Sequence, residues 1–131
     1  MVVGVDAELV EWSVDDVSQT EDRIVSQWRE VSADERHQLH VKFDEILRPL
    51  GLQTRLVVVE HANSIALYFI CMMLAALTGL RDQWRSQQLR GIVQSLFTFL
   101  SGGTGTVRVK RLSWLLNDYE RGLEFFSSVQ G

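Results

Sequence analysis

The chain is short of cysteine, proline, histidine and lysine. Its 131 residues hold one cysteine, Cys71, one proline, Pro49, three histidines and two lysines. A lone cysteine excludes a disulfide framework within the chain and fits a reducing compartment, so a cytoplasmic setting is expected. A single proline excludes a Pro-rich linker. Three histidines leave few ligands for a metal centre. Met1–Leu9 already contains Asp6 and Glu8 and has no basic start, so a secretory signal is not expected there.

What is present is ordinary for a globular domain. Hydrophobic residues make up 46% and charged residues 23%. This length suggests one domain, 1–131, able to bury a core without a staple. Net charge is −4 and is unevenly spread. Residues 1–50 hold twelve acids and five cations, a balance of −7. Residues 51–131 hold five acids and eight cations, a balance of +3. An acidic chain argues against nucleic acid as a partner. The asymmetry could pre-orient a protein partner or further copies of the chain, as in a homo-oligomer, but solvated faces are the simpler reading.

The run Ala62–Leu80 contains no charged residue. It is close to the ~20 apolar residues that a membrane helix needs. A membrane-inserted or membrane-associated protein is therefore the alternative reading. Asn63 and Ser64 fit a turn better than a span, and several one-sided helices elsewhere need a common core. The preferred reading divides the run into a turn, a strand at Ile65–Ile70 and the start of a buried helix at Met72.

Periodicity supplies the remaining elements. Val10, Trp12 and Val14 share one face of a strand over Ala7–Val14. Ser18 and Glu21 have capping-box spacing, and Ile24, Trp28 and Val31 follow as a helical stripe. A second capping box at Ser32 and Glu35 opens a helix carrying Leu39, Phe43, Ile46, Leu47 and Leu50. Pro49 and Gly51 close it. Arg55–Val59 and Ile65–Ile70 form a hairpin. Leu74, Leu77, Leu80 and Trp84, then Leu89, Ile92, Val93, Leu96 and Leu100, mark two helices with a break near Ser86. Ser101–Gly105 is a turn. Thr106–Lys110 alternates as a strand with Val107 and Val109 inward. Leu112 to Phe126 reads as the last helix.

The order is β-α-α-β-β-α-α-β-α. The expected fold class is α+β, a four-stranded, mostly antiparallel sheet with helices packed mainly on one face. This is a ferredoxin-like or α-β sandwich variant, close to the split β-α-β plan.

No residue pattern demands catalysis, a cofactor or a metal. His37, His40, Asp34 and Asp44 have metal-compatible helical spacing, but the apolar stripe is on the other side and a closed ligand set is missing. Cys71 and His61 are the right types for a nucleophile–base pair, yet a thiol in an apolar run is usually a small hydrophobe. The Ser101–Gly105 turn precedes a strand and lacks the Gly-Lys-Ser/Thr of a phosphate loop. Arg81, Arg85, Arg90, Arg108, Lys110 and Arg111 could line an acidic partner or simply face water. Trp12, Trp28, Trp84 and Trp114 lie on or beside apolar stripes, so core is the default.

A family resemblance goes further. Arg81-Asp-Gln-Trp-Arg-Ser-Gln-Gln-Leu-Arg-Gly-Ile-Val-Gln-Ser-Leu-Phe-Thr-Phe-Leu100, Val107-Arg-Val-Lys110 and Leu112-Ser-Trp-Leu-Leu-Asn-Asp-Tyr-Glu-Arg-Gly-Leu-Glu-Phe-Phe126 resemble the N-terminal domain of the tumour necrosis factor receptor-associated death-domain adaptor. The hairpin Leu56–Ile70 is similar as well. The shared signal is mostly apolar spacing. The resemblance implies a non-catalytic, intracellular adaptor domain in cell-death or innate-immune signalling, binding a receptor-associated signalling factor through the open face of its sheet. It implies contact residues on the first strand and the hairpin, here Glu8, Val10 and Trp12, and His61, Asn63 and Ile65.

Overall fold

The structure, a computed structural model, describes residues 1–10, 14–33, 37–62, 64–102, 107–115 and 118–130. Strand β1 spans Val2–Leu9 and is followed by helices α1, Val14–Ala33, and α2, His37–Leu47, with a 3-10 turn at Arg48–Leu50. The hairpin β2, Thr54–His61, and β3, Ile65–Cys71, comes next. Helices α3, Leu74–Arg85, and α4, Gln88–Leu100, lead to β4, Val109–Trp114, and α5, Asp118–Gln130, completes the chain order.

The four strands form one antiparallel sheet in the order β2-β3-β1-β4. Strand β3 sits between β1 and β2, and a pair of helices crosses from β1 to β2 and again from β3 to β4. That is the split β-α-β plan with doubled crossovers. The α+β class and the order of elements agree with the sequence expectation.

Strand β1 shows why the layers form. Val3, Val5, Ala7 and Leu9 alternate with Val2, Gly4, Asp6 and Glu8, so the two sets point to opposite faces. The odd set is buried together with Ile65, Leu67 and Phe69 of β3 and with Ile24, Leu77, Leu89, Leu96, Phe97 and Phe126 of the helices. The even set points to the opposite face, away from those core helices.

Several boundaries differ from the sequence expectation. The first strand lies at Val2–Leu9 rather than Ala7–Val14, because the alternation begins at the first valines. Helix α1 begins at Val14, so Ser18 and Glu21 lie inside it and cap nothing. Ser32 belongs to the last turn of α1, where its Oγ donates to the Arg29 carbonyl, and so it does not cap α2. Asp34 and Glu35 lie outside the described residues. Strand β4 continues to Trp114 and α5 starts only at Asp118, because Leu112 is buried against the sheet at strand spacing. The expected break near Ser86 is present: Gln87 adopts a left-handed φ of 69° between α3 and α4.

Among the described residues no helix is long and apolar enough to cross a membrane. The uncharged run is shared between β3 and α3, and its Ile65, Leu67, Phe69, Cys71, Leu77 and Leu80 are core residues.

Candidate functional site on the open sheet face

The face opposite the helices is built from one side chain in two along each strand. Val2, Asp6 and Glu8 come from β1, Ala66, Tyr68 and Ile70 from β3, and Arg55, Val58 and Glu60 from β2. Ser113 and Arg111 of β4 continue it beside Asp6 and Glu8. Val2 is 48% exposed and Val58 37%, while Tyr68 and Ile70 are half-buried between them. The centre is thus apolar and the rim charged.

Gly4 lies in the middle of this face. A Cβ there would stand 2.8 Å from Leu115 Cδ1 and 2.9 Å from Tyr68 Cε1, so those two side chains roof the strand where glycine leaves room. Strand β4 runs out before it can pair with Gly4. The Leu115 N–H donates to the Gly4 carbonyl, and the Gly4 N–H donates to Asp118 Oδ2 at the start of α5.

The rim is set by local charge. Glu8 pairs with Arg111 at 2.8 Å and with Lys110 at 3.6 Å. The Arg111 hydrogen bond holds its carboxyl below the usual carboxylate range. Asp6 accepts from the Ser64 N–H at 3.3 Å, but burial, the larger effect, pushes its carboxyl up. Burial also raises the Tyr68 phenol, and the negative charge of the Glu60 carboxylate adds to the effect.

The residues expected to meet a partner do not all reach this face. Glu8 does. Val10 follows β1, half-buried, and its N–H donates to the Arg108 carbonyl. Trp12 and Asn63 lie outside the described residues. His61 is exposed, yet its register with Ile65 and Ala7 puts it on the helix side, where Nε2 lies 3.2 Å from Asp22 Oδ1 of α1. Ile65 is fully buried in the core and offers nothing to a partner, which corrects its expected role. The hairpin alternates, so its open-face residues are Ala66, Tyr68 and Ile70. Their phase was legible in the run Ile65–Cys71, but apolarity on both phases hid which one faces out.

The chemical candidates fare as follows. Cys71 pairs with Thr54 at one end of the β2–β3 hairpin and His61 with Ile65 at the other, so they do not form a nucleophile–base pair. Burial raises the Cys71 thiol, which suits a core hydrophobe. Asp34 and the side chains of His37 and His40 lie outside the described residues. Elsewhere, no group of three His, Cys, Asp or Glu residues could hold a metal among the described residues. Arg81 stacks 5.1 Å above the Tyr119 ring, and Lys110 and Arg111 serve Glu8, so these three members of the candidate basic patch are divided between separate contacts. Trp28 is buried, and Trp84, Trp114 and Tyr119 stack in a row at 5.7 and 5.5 Å between neighbouring rings.

No protein-family model, curated protein or solved structure matches this chain.

Proposed function

We propose that this chain is a cytosolic, non-catalytic protein-interaction domain that engages its partner through the open sheet face. One observation carries the reading: Val2, Val58, Tyr68 and Ile70 form an apolar strip on the face turned away from the described helices, while Val3, Val5, Ala7, Ile65, Leu67 and Phe69 on the other face of the central strands are buried. Apolar strips with charged rims are typical of recognition surfaces. Aromatic anchors such as Tyr68 are common at their centres. The acids Asp6 and Glu60 beside the strip favour a partner that offers an apolar anchor flanked by a basic side chain.

An adaptor role in cell-death or innate-immune signalling, with a trimeric receptor-associated factor as partner, is the specific form of this proposal. It rests on the sequence resemblance. Against the membrane-associated alternative stands the burial of Ile65, Leu67, Phe69, Cys71, Leu77 and Leu80, which supply much of the apolar run it relied on.

The test is a binding titration against a receptor-associated factor, with Val58→Glu and Val2→Glu on the strip and Arg121→Glu on α5 as control. All three sites are exposed, so the fold should survive, as circular dichroism can verify. Binding lost with the strip variants and kept with the control is expected. Binding that survives both strip variants removes the open face, and a wild-type chain that does not bind removes the signalling assignment.

A further inference from the structure

The two edges of the sheet are treated differently. At the β4 edge the N–H groups of Val107 and Val109 donate to Thr98 Oγ1 and Gln94 Oε1 of α4, at 3.1 and 2.9 Å. The Leu112 carbonyl accepts from Trp84 Nε1 of α3 at 2.8 Å. Helix side chains therefore close that edge. No described residue does the same for β2. An uncovered strand edge is a template for another strand.

The hydrogen bonds of β3 fix which way each β2 peptide points. Cys71 exchanges bonds with Met1 of the neighbouring chain segment, so its peptide groups face β1. Alternation then turns Ile70 towards its β2 partner Arg55, and Met72 donates to Gln53 in the same phase. Thr54 and Leu56 accordingly point outward. The register shift between Leu56 and Val58 inserts one extra residue, Val57, and reverses the phase. Beyond it Val58 and Glu60 face β3, and Val59 and His61 point outward.

This reversal makes β2 complementary to itself. Laid antiparallel on a second copy, about an axis between Val57 and Val58, Thr54 meets His61, Arg55 meets Glu60 and Leu56 meets Val59. In each pair both peptides point outward or both inward. In each pair both side chains lie on the same face, with Arg55 and Glu60 on the open face of both copies. In a strand without the bulge this register would set outward peptides against inward ones. Bulges usually blunt an edge. Here the bulge lies on the two-fold axis, so each copy brings the same extra residue to the same place. A groove of about 910 Å³ between α1, α2 and β2 leaves the helix side of the edge uncovered at Leu56 and Val57, where a second strand would approach.

We propose that β2 pairs with β2 of a second copy of this chain, joining two four-stranded sheets into one continuous, two-fold symmetric sheet. Such an interface is isologous, since each copy offers the same patch. Two Arg55–Glu60 pairs and two Leu56–Val59 pairs flank the axis. The proposal does not depend on which partner the open face binds.

The test is sedimentation equilibrium of the wild type, of Arg55→Glu, of Glu60→Arg and of an equimolar mixture of the two variants. Both residues are exposed, so neither substitution threatens the fold. Wild type should be a dimer. Each variant alone sets like charges across the axis twice and should raise the dimer Kd by about tenfold, since cross-strand pairs contribute modestly. The mixture should restore dimers, because the Arg55→Glu chain then presents two carboxylates to the two guanidiniums of the Glu60→Arg chain. Amide exchange adds a residue-specific readout: the Leu56 and Val59 amides should slow as concentration rises, while those of Arg55 and Val58 should not. A wild type that stays monomeric at its highest soluble concentration overturns the proposal. So does a dimer that tolerates both single variants and leaves the Leu56 and Val59 amides unprotected.

Discussion

Gly4 and Asp118 meet across 114 residues of chain, the Gly4 N–H donating to Asp118 Oδ2 at 2.8 Å. This bond takes over where β4 ends and fastens the start of α5 to a central strand. Gly4→Ala should destabilise the fold by about 1–3 kcal/mol, because the added methyl must displace Leu115 and Tyr68. Asp118→Ala should cost a similar amount, about 1–3 kcal/mol, by leaving the buried Gly4 N–H unpaired. Urea denaturation measures both, and unchanged midpoints would remove this contact from the account of stability.

Trp84→Phe should cost about 1–3 kcal/mol, since it retains most of the ring contact with Trp114 but leaves the Leu112 carbonyl without its donor. The loss should appear in equilibrium unfolding. A companion Trp114→Phe separates stacking from hydrogen bonding, because the Trp114 indole stacks on Trp84 and Tyr119 without a hydrogen-bond partner among the described residues.

Asp6 gives a pH dependence with a definite sign. Burial raises its carboxyl, so the folded chain holds this proton more tightly than the unfolded chain. Its contribution is fullest below the ordinary carboxylate value and declines as pH rises through the raised one. Asp6→Asn keeps an acceptor for the Ser64 N–H and should be more stable than wild type at neutral pH, with the two converging in acid. Glu8 has the opposite sign: its lowered carboxyl contributes above the ordinary value and loses that contribution as pH falls through the lowered one. Thermal melts of Asp6→Asn and Glu8→Gln across the acid range should diverge from wild type in opposite directions. Parallel curves would contradict this.

Cys71 is fully buried and its thiol is raised by burial. It should resist a thiol reagent at neutral pH and react only as fast as the chain opens. Labelling within mixing time in the absence of denaturant would contradict its place in the core.

The fold class was legible because each layer leaves a periodic trace. The stripes at Leu74–Trp84 and Leu89–Leu100, and the hairpin on either side of Ala62, all became the expected elements. Boundaries were harder where one residue satisfies two periods. Leu112 is three before Leu115, as a helix requires, yet also lies at strand spacing from Trp114, and pairing with β1 decided for the strand. Ser18 and Ser32 carried cap spacing inside a helix, where no free N–H awaits a cap. At the site, the sequence pointed to the first strand and the hairpin. It did not reveal the face, because β3 is apolar on both phases and only pairing with β1 and β2 separates Ile65 from Tyr68.

The strand order also sets a timetable. Of the four strands β1 is synthesised first, yet it is a central strand, flanked by β3 and β4. The β2–β3 hairpin can close locally, whereas β1 must wait for it, and then for β4, whose Arg111 pairs with Glu8 across 103 residues. Non-local pairing of this kind slows folding. During synthesis the valines of β1 remain uncovered on both edges, so the nascent chain is most open to misassociation before its last strand emerges.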